Sequence, residues 1–216
     1  MPDLQRAIDL AMAYCWNETH GYALGGLGYP TFDCSGLICR CLYDAGFNLP
    51  VDPQTGDVAH KGTAYLVNCG MTQEDVLGDA GFMEIPITNN HYILLPGDIV
   101  VMNHTNWRGG HTFIYNENVI GYTSTLSGSR TDYPNTTGLC SKVKIEASDI
   151  RSWNVSSADD PNPLGACTEV WVHNFDWNYI FGNYDPTDPN DSIIIARYPG
   201  GLRPHNRFRK FVALFK

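Results

Sequence analysis

The hydrophobic pattern of this chain changes period near residue 92, and that change limits the possible folds more than any other feature. Before it, apolar residues recur at helical spacing over residues 2–16 and again from Cys34 to Ala45. After it, short apolar runs separated by turn residues are typical of β-strands. The predicted strands are Ile99–Met102, His111–Tyr115, Val119–Thr123, Glu169–His173 and Ile193–Tyr198. Helices followed by strands predict an α+β fold with an antiparallel sheet.

Polar and turn-forming residues set the expected boundaries of the other elements. Thr72 followed by Asp75 is a variant of a capping box, which predicts the start of a short helix. Residues 116–118 are predicted to form a turn between two strands. Residues 124–167 are rich in Ser, Thr, Asn, Asp and Pro, so we expect a long loop or insertion there, with a short helix near 147–152.

Composition and charge exclude two broad classes of protein. Hydrophobic residues make up 43% of the 216 residues, which is enough for a packed core and excludes a disordered chain. The net charge of −9 argues against a general nucleic-acid-binding protein. Residues 192–216 nevertheless carry six basic residues and no acidic one, a pattern that suits either contact with an anionic polymer or a solvated terminal strand.

The sequence offers no signal for a membrane, a metal or a cofactor. No apolar run approaches the ~20 residues of a membrane-spanning helix, and the chain does not open with a basic stretch followed by an apolar one. We therefore expect no membrane span and no secretory signal. Cys39 and Cys41 are too isolated from other paired ligands to form a zinc site, so neither a metal nor a cofactor is expected.

Cys34 is the best candidate nucleophile in the chain. The seven cysteines are an odd number, so at least one thiol is free unless chains are cross-linked. Cys34 lies between Asp33 and Ser35, at the junction of a loop and the second predicted helix. The positive end of a helix and its unpaired N–H groups favour a thiolate and can also receive an oxyanion. The other six cysteines are predicted to be structural.

A thiolate that cleaves amides also needs an imidazole that takes and returns a proton. His111 follows two glycines at the start of an apolar strand, so we expect its ring at a strand end beside an opening. His104 lies in the preceding loop and is the alternative base. Asp98 is predicted to bond its own backbone in a turn rather than to orient the imidazole.

Three motifs follow one another along the first part of the chain. They are Asp33-Cys34-Ser35-Gly36 preceded by Tyr22 and Gly25-Gly26, then Pro96-Gly97-Asp98-Ile99-Val100, then Gly110-His111-Thr112-Phe113-Ile114-Tyr115. In this order they resemble the NlpC-type cell-wall cysteine peptidases over about residues 1–125. The resemblance implies a papain-like fold, with N-terminal helices packed on an antiparallel sheet. It implies a single peptidase domain over residues 1–216, with a core at about 1–125 plus terminal strands and a loop-rich insertion or extension at 124–192.

The resemblance also implies an activity and roles for individual residues. The expected activity is hydrolysis of an amide bond in the peptide part of bacterial peptidoglycan. Cys34 is then the nucleophile that forms an acyl-enzyme, and His111 is the base. Tyr22, Asp33 and Ser35 are expected to shape the oxyanion and substrate-binding site.

The chain departs from the family at the residue that orients the imidazole. Members of the family carry a polar residue for this purpose on the next strand, usually His, Asn, Gln or an acid. The strand predicted to follow His111 has none of these. Thr123 is the first candidate for the third catalytic residue, with a water molecule or a backbone carbonyl as alternatives.

The expected context is that of a phage or prophage lysin, made in the bacterial cytoplasm and acting on the cell wall after release. Its expected partner is peptidoglycan, and we expect a monomer that binds no nucleic acid. Two other functions remain open. One is an amidase of the same fold that cuts between sugar and peptide, or a related acyl- or amide-transferring enzyme. The other is a catalytically weak wall-binding module with a vestigial nucleophile site, since the usual orienting residue is missing.

Overall fold

The computed structural model describes residues 1–15, 17, 19–28, 30–67, 74–85, 93–104, 109–122, 137–148, 169–174, 187–188 and 191–202. Within these residues the chain forms four helices and eight strands.

Two amphipathic helices form one layer of the fold. Helix α1 spans Leu4–Cys15 and helix α2 spans Cys34–Asp44, which confirms the helical prediction for both segments. Helix α1 buries its apolar face, whereas α2 is buried over most of its length. Gly46 follows the C-cap of α2 with a φ of +84°, the left-handed conformation with which glycine commonly ends a helix.

Two short helices follow, α3 at Thr63–Leu66 and α4 at Val76–Asp79. The predicted cap, Thr72, lies outside the described residues. Helix α4 is capped by Asp75 instead, whose carboxylate accepts a hydrogen bond from the backbone N–H of Gly78 at 2.8 Å. In the described part of the chain, no helix has both the length and the apolar character needed to cross a bilayer.

The strands form one large sheet and one small ladder. The two-residue strands β1 (Gly21–Tyr22) and β2 (Thr31–Phe32) pair in parallel. The strands of the sheet are β3 (Met83–Ile85), β4 (Ile99–His104), β5 (Gly109–Tyr122), β6 (Thr137–Ser148), β7 (Glu169–Asn174) and β8 (Ser192–Arg197). Their order is β3-β8-β4-β5-β6-β7, with antiparallel pairing between neighbours and one additional parallel pairing between β5 and β7. The predicted α+β class with an antiparallel sheet is therefore confirmed.

Strand β5 corrects one prediction, because it is a single strand of 14 residues where two strands and a turn were expected. Asn116 and Glu117, in the predicted turn, pair with β6 in the same register as the residues on either side. Asn118 has a φ of +52°, which asparagine adopts with less strain than most residues. The turn residues therefore mark a local distortion within a long strand and do not end it.

Strand β6 corrects a second prediction. It lies inside the segment expected to be a loop or insertion, 124–167, and its end overlaps the helix predicted near 147–152. Its buried apolar residues alternate in the manner of a strand: Val143, Ile145 and Ala147. The residues between them, Lys144 and Glu146, are also buried although they are charged. The sequence alone therefore does not indicate that both faces of this strand are buried.

The hydrophobic core lies between the helices and the sheet. Helix α1 packs against β6 and β7, and α2 packs against β5 and β6. Large contributions to this core come from Ile8, Leu37, Ile38, Leu42, Ile114, Ile145 and Val172. Because α2 is held against β5 and β6, the residue at its N-terminal end has a fixed position relative to both strands.

A close approach of two backbone segments determines where the glycine-rich loop, residues 21–28, meets α2. The backbone N–H of Asp33 donates to the carbonyl oxygen of Gly26 at 3.0 Å. A Cβ atom at Gly36 would overlap that same oxygen. Glycine at position 36 therefore allows the loop to lie directly against the first turn of the helix.

We predict that Gly36→Ala lowers the free energy of unfolding by about 1–3 kcal/mol, because the overlap outweighs the ~1 kcal/mol that alanine gains in helix propensity. Gly62→Ala is the matched control, since a Cβ atom there would meet a ring carbon of Tyr65 at 3.9 Å, an ordinary contact. Chemical denaturation of both variants measures the difference. A Gly36→Ala protein as stable as the wild type would contradict the close approach.

Candidate active site

Cys34 is the first residue of α2, so its thiol lies at the positive end of that helix. The residue is 6% exposed. The free thiols among the described residues are those of Cys15, Cys34, Cys39 and Cys41. Burial raises the pKa of Cys39 to about 12 and places the pKa of Cys41 well above that of an ordinary thiol, so both are expected to be unreactive.

Asp33 is the N-cap of α2 and fixes the segment that carries Cys34. Its carboxylate accepts hydrogen bonds from the backbone N–H groups of Gly25 (2.8 Å) and Gly36 (2.7 Å). It also accepts from the Ser35 hydroxyl (2.9 Å) and from Nε2 of His60 (2.8 Å). Burial raises the pKa of Asp33, but the bonds from His60 and the backbone N–H groups outweigh it and leave the pKa below its ordinary value. The carboxylate therefore stays charged and joins three segments of the chain.

His111 and Glu146 form the other half of the site. His111 lies near the start of β5 and Glu146 near the end of β6, and the antiparallel pairing of the two strands brings them together. Nε2 of His111 donates a hydrogen bond to Oε2 of Glu146 at 2.8 Å, and Glu146 is 0% exposed. Because Nε2 is used in this way, Nδ1 is the ring nitrogen available to the thiol of Cys34.

The environment of His111 favours its protonated form. Burial lowers the pKa of His111, but the charge of Glu146 and the hydrogen bonds with Cys34 and Glu146 raise it to about 9. At neutral pH the ring therefore holds a proton readily beside the thiol of Cys34. An imidazolium beside a thiol is the usual means by which proteins favour a thiolate nucleophile.

Lys144 completes a chain of buried charges. Its Nζ lies 3.2 Å from Oε1 of Glu146 and 5.6 Å from the ring centroid of Phe113, and the side chain is 4% exposed. A buried carboxylate without a cationic partner tends to bind a proton and lose its charge. Lys144 therefore supports Glu146 as an anion, and an anionic Glu146 is what favours a protonated His111.

The structure places the two predicted reacting residues, Cys34 and His111, close enough for the thiol to influence the pKa of the imidazole. Asp33 and Ser35 flank the thiol, but their side chains bond to each other. Tyr22 pairs in register with Phe32, so β1 lies beside the strand that leads into Cys34. The roles of all these residues stay predictions.

The other residues that the sequence analysis considered for a catalytic or binding role lie outside the site or outside the described residues. Thr123 is outside the described residues, as are the side chains of His104 and His173. Asp98 accepts a hydrogen bond from the backbone N–H of Leu95 at 2.7 Å, which confirms that it bonds its own turn. It also pairs with Arg197 of β8 at 2.7 Å.

Four residues near the reacting pair were missed by the sequence analysis: Glu146, Lys144, His60 and Thr63. Glu146 lies on β6, a strand that the sequence analysis did not predict, and this explains why the search for an orienting residue stopped at Thr123. The one available signal was the alternation of apolar and charged residues over 143–147. His60 and Thr63 lie in a segment without a recognisable motif, and only the folded chain brings them to α2.

Neither the comparison with protein-family models nor the comparison with curated proteins finds a match to this chain. Within the described residues, no group of three or more His, Cys, Asp or Glu side chains is arranged to hold a metal ion. The functional argument for this chain therefore depends on the contacts among Cys34, His111 and Glu146.

We predict that Glu146→Gln lowers the pKa of His111 from about 9 toward its ordinary value, because glutamine keeps the shape of the side chain but removes the charge that favours the imidazolium. The group loses its proton as the pH rises through its pKa, so the variant loses the imidazolium at a lower pH than the wild type. Titration of the ring by NMR measures the change directly.

The matched control is Glu117→Gln, on the same hairpin, whose carboxylate accepts from the hydroxyl of Tyr115 at 2.8 Å. This variant should leave the titration of His111 close to that of the wild type. Identical titration curves for Glu146→Gln and the wild type would contradict the proposed electrostatic coupling.

We further predict that Asp33→Ala lowers the free energy of unfolding by about 2–4 kcal/mol, because it removes a helix cap and leaves buried donors without an acceptor. Asp75→Ala removes a comparable cap at the exposed start of α4 and should cost about 1 kcal/mol. Denaturation of both variants at neutral pH compares the two caps.

The pH dependence of the Asp33→Ala effect has a defined sign. Since the folded protein lowers the pKa of Asp33, its contribution is complete above the ordinary aspartate pKa, about 3.9, and is lost as the pH falls through the folded value. The stability difference between wild type and variant should therefore narrow in acid. A difference that is constant down to pH 2 would show that the charge of Asp33 is not involved.

Proposed function

We propose that this protein is a cysteine peptidase of the NlpC type that hydrolyses an amide bond in the peptide part of bacterial peptidoglycan. One observation carries the proposal: a thiol at the N-terminus of a helix lies beside a histidine whose Nε2 is bonded to a buried carboxylate. This is the arrangement of nucleophile, base and orienting group that thiol-dependent acyl transfer requires. The packing of α1 and α2 on an antiparallel sheet supports a papain-like fold.

The acylation step follows from the order of these contacts. Cys34 gives its proton to Nδ1 of His111, and the resulting thiolate attacks the carbonyl carbon of the substrate amide. The C–N bond then breaks as His111 returns the proton to the leaving amine, which leaves a thioester on Cys34. Glu146 holds Nε2 throughout, so the ring keeps its orientation and its positive charge is compensated.

Deacylation uses the same groups, with a water molecule in the place of the departed amine. A water molecule gives a proton to His111 and attacks the thioester, and the sulfur leaves with that proton as the carboxylic acid product departs. The chain thus needs no co-reactant other than water.

The first turn of α2 is suited to stabilise the oxyanion of both steps. The backbone N–H groups of Gly36 and Leu37 donate to Asp33, the former to its side chain and the latter to its carbonyl oxygen. This leaves the N–H groups of Cys34 and Ser35, at the positive end of the helix, to face the substrate oxygen. Tyr22 is proposed to complete the wall of this pocket from β1.

The choice of peptidoglycan as substrate comes from the three ordered motifs and their resemblance to the cell-wall peptidases. In that context the protein acts as a lysin of phage or prophage origin that reaches the wall after release. The pairing of His111 with Glu146 argues against a vestigial site. A chain that had lost catalysis would have no need to keep a carboxylate buried beside a histidine, because burial of a charge is costly.

The test is incubation of wild type and Cys34→Ala with purified peptidoglycan from several bacteria, with the released fragments identified by mass spectrometry. We expect the wild type to release fragments with new amino termini within the stem peptide or cross-bridge, and Cys34→Ala to release none. Cys39→Ala is the matched control, since it removes a buried thiol one turn further along α2 and should retain activity.

Other outcomes identify the other functions. Release of intact stem peptides would indicate an amidase that cuts between sugar and peptide. Sedimentation of both proteins with the wall, without any released fragment, would indicate a binding module. Equal release by the wild type and Cys34→Ala would overturn a nucleophilic role for Cys34.

A further inference from the structure

The segment 60–63 lies along the first turns of α2 and contacts it at three points. His60 donates to Asp33 at 2.8 Å, directly beside the nucleophile. The carbonyl oxygen of Lys61 lies 4.0 Å from the thiol of Cys39, one turn further along the helix. The hydroxyl of Thr63 lies 3.8 Å from Sγ of Cys34. The segment is therefore positioned against the reacting end of the helix.

Thr63 is held in place from its other side by the strand that carries the base. A Cβ atom at Gly110 would lie 2.7 Å from both Cβ and Cγ2 of Thr63, so the glycine backbone packs directly on the threonine methyl group. Gly110 immediately precedes His111. Thr63 is 9% exposed and thus fills the space between the nucleophile helix and the start of β5.

This position gives the Thr63 hydroxyl a defined partner during the reaction. With a neutral thiol, either the hydroxyl or the sulfur can be the donor across the 3.8 Å contact. Once the proton has moved from Cys34 to His111, the sulfur can only accept, so the hydroxyl must donate. A hydrogen bond to a charged group is stronger than one to a neutral group, and the contact therefore strengthens as the thiolate forms.

We propose that the Thr63 hydroxyl donates a hydrogen bond to the Cys34 thiolate and is a catalytic residue of this site. The proposal rests on the proposed function, in that it assigns a part to Thr63 in the thiol chemistry described above. His111 from β5 supplies the positive charge, and Thr63 from α3 supplies an uncharged donor to the same sulfur. The nearby negative or neutral groups, Asp33 and Cys39, offer no such stabilisation.

The titratable groups around the sulfur define what a pH measurement will report. His111 faces it from β5, Asp33 precedes it, and Cys39 lies one turn along the same helix. His60 contributes through its bond to Asp33. Thr63 does not titrate, so its removal shifts the formation of the thiolate without adding or removing an ionisable group.

The test is the pH dependence of alkylation of Cys34 by iodoacetamide, followed by peptide mass spectrometry so that only this thiol is counted. Thr63→Val removes the hydroxyl with little change in shape, and Thr63→Ser keeps the hydroxyl but loses the methyl group. The alkylation rate rises with pH as the thiolate forms, and the midpoint of that rise is the quantity compared. We expect the midpoint for Thr63→Val to lie about one pH unit above that of the wild type, and the midpoint for Thr63→Ser to stay near the wild-type value. The rate at high pH should not fall, because a less stabilised thiolate is at least as nucleophilic.

The controls separate this proposal from the proposed function. A wild-type midpoint near that of an ordinary thiol, about 8.5, would contradict the activated nucleophile and with it the peptidase. A low wild-type midpoint that Thr63→Val leaves unchanged would overturn the role of Thr63 alone. Equal shifts in Thr63→Val and Thr63→Ser would assign the effect to packing against Gly110 and would also overturn it. Thr63→Ala gives the same comparison without the branched side chain if Thr63→Val does not fold.

Discussion

The carboxylate of Asp33 is the interaction on which the rest of the site depends. It binds the first turn of α2 through Gly36 and Ser35, the glycine-rich loop through Gly25, and the segment after residue 57 through His60. A single carboxylate that accepts four hydrogen bonds can hold three segments, because a hydrogen bond to an ion is stronger than one between neutral groups. Cys34, the proposed nucleophile, is the next residue along the chain, so the position of its sulfur is set by these bonds.

A line of alternating charge extends into the protein from His111, beside Cys34. The imidazole of His111, the carboxylate of Glu146 and the ammonium group of Lys144 follow one another inward from Cys34. Each buried charge alone would be strongly unfavourable, and each is compensated by its neighbour. A change in the charge of Glu146 therefore alters the pKa of His111.

The sequence predicted the parts of this site that depend on local signals. Cys34 and His111 each follow polar or glycine residues at the start of a regular element, and such starts are visible in a short window. Glu146 could not be found in this way, because its role depends on pairing between β5 and β6 and on a strand whose charged residues are buried. Thr63 and His60 carry no motif at all and become part of the site through tertiary packing alone.

The strand order of the sheet has a consequence for when the site can exist. Strand β8 lies between β3 and β4, although it follows them by more than 85 residues in the chain. Before residues 192–197 have been synthesised, β4 lacks one of its two neighbours, and the pair formed by Asp98 and Arg197 cannot exist. Cys34, His111 and Glu146 are themselves contributed by three elements distant in sequence, α2, β5 and β6. Completion of the sheet, and with it the full arrangement of Cys34, His111 and Glu146, is thus a late event in biosynthesis.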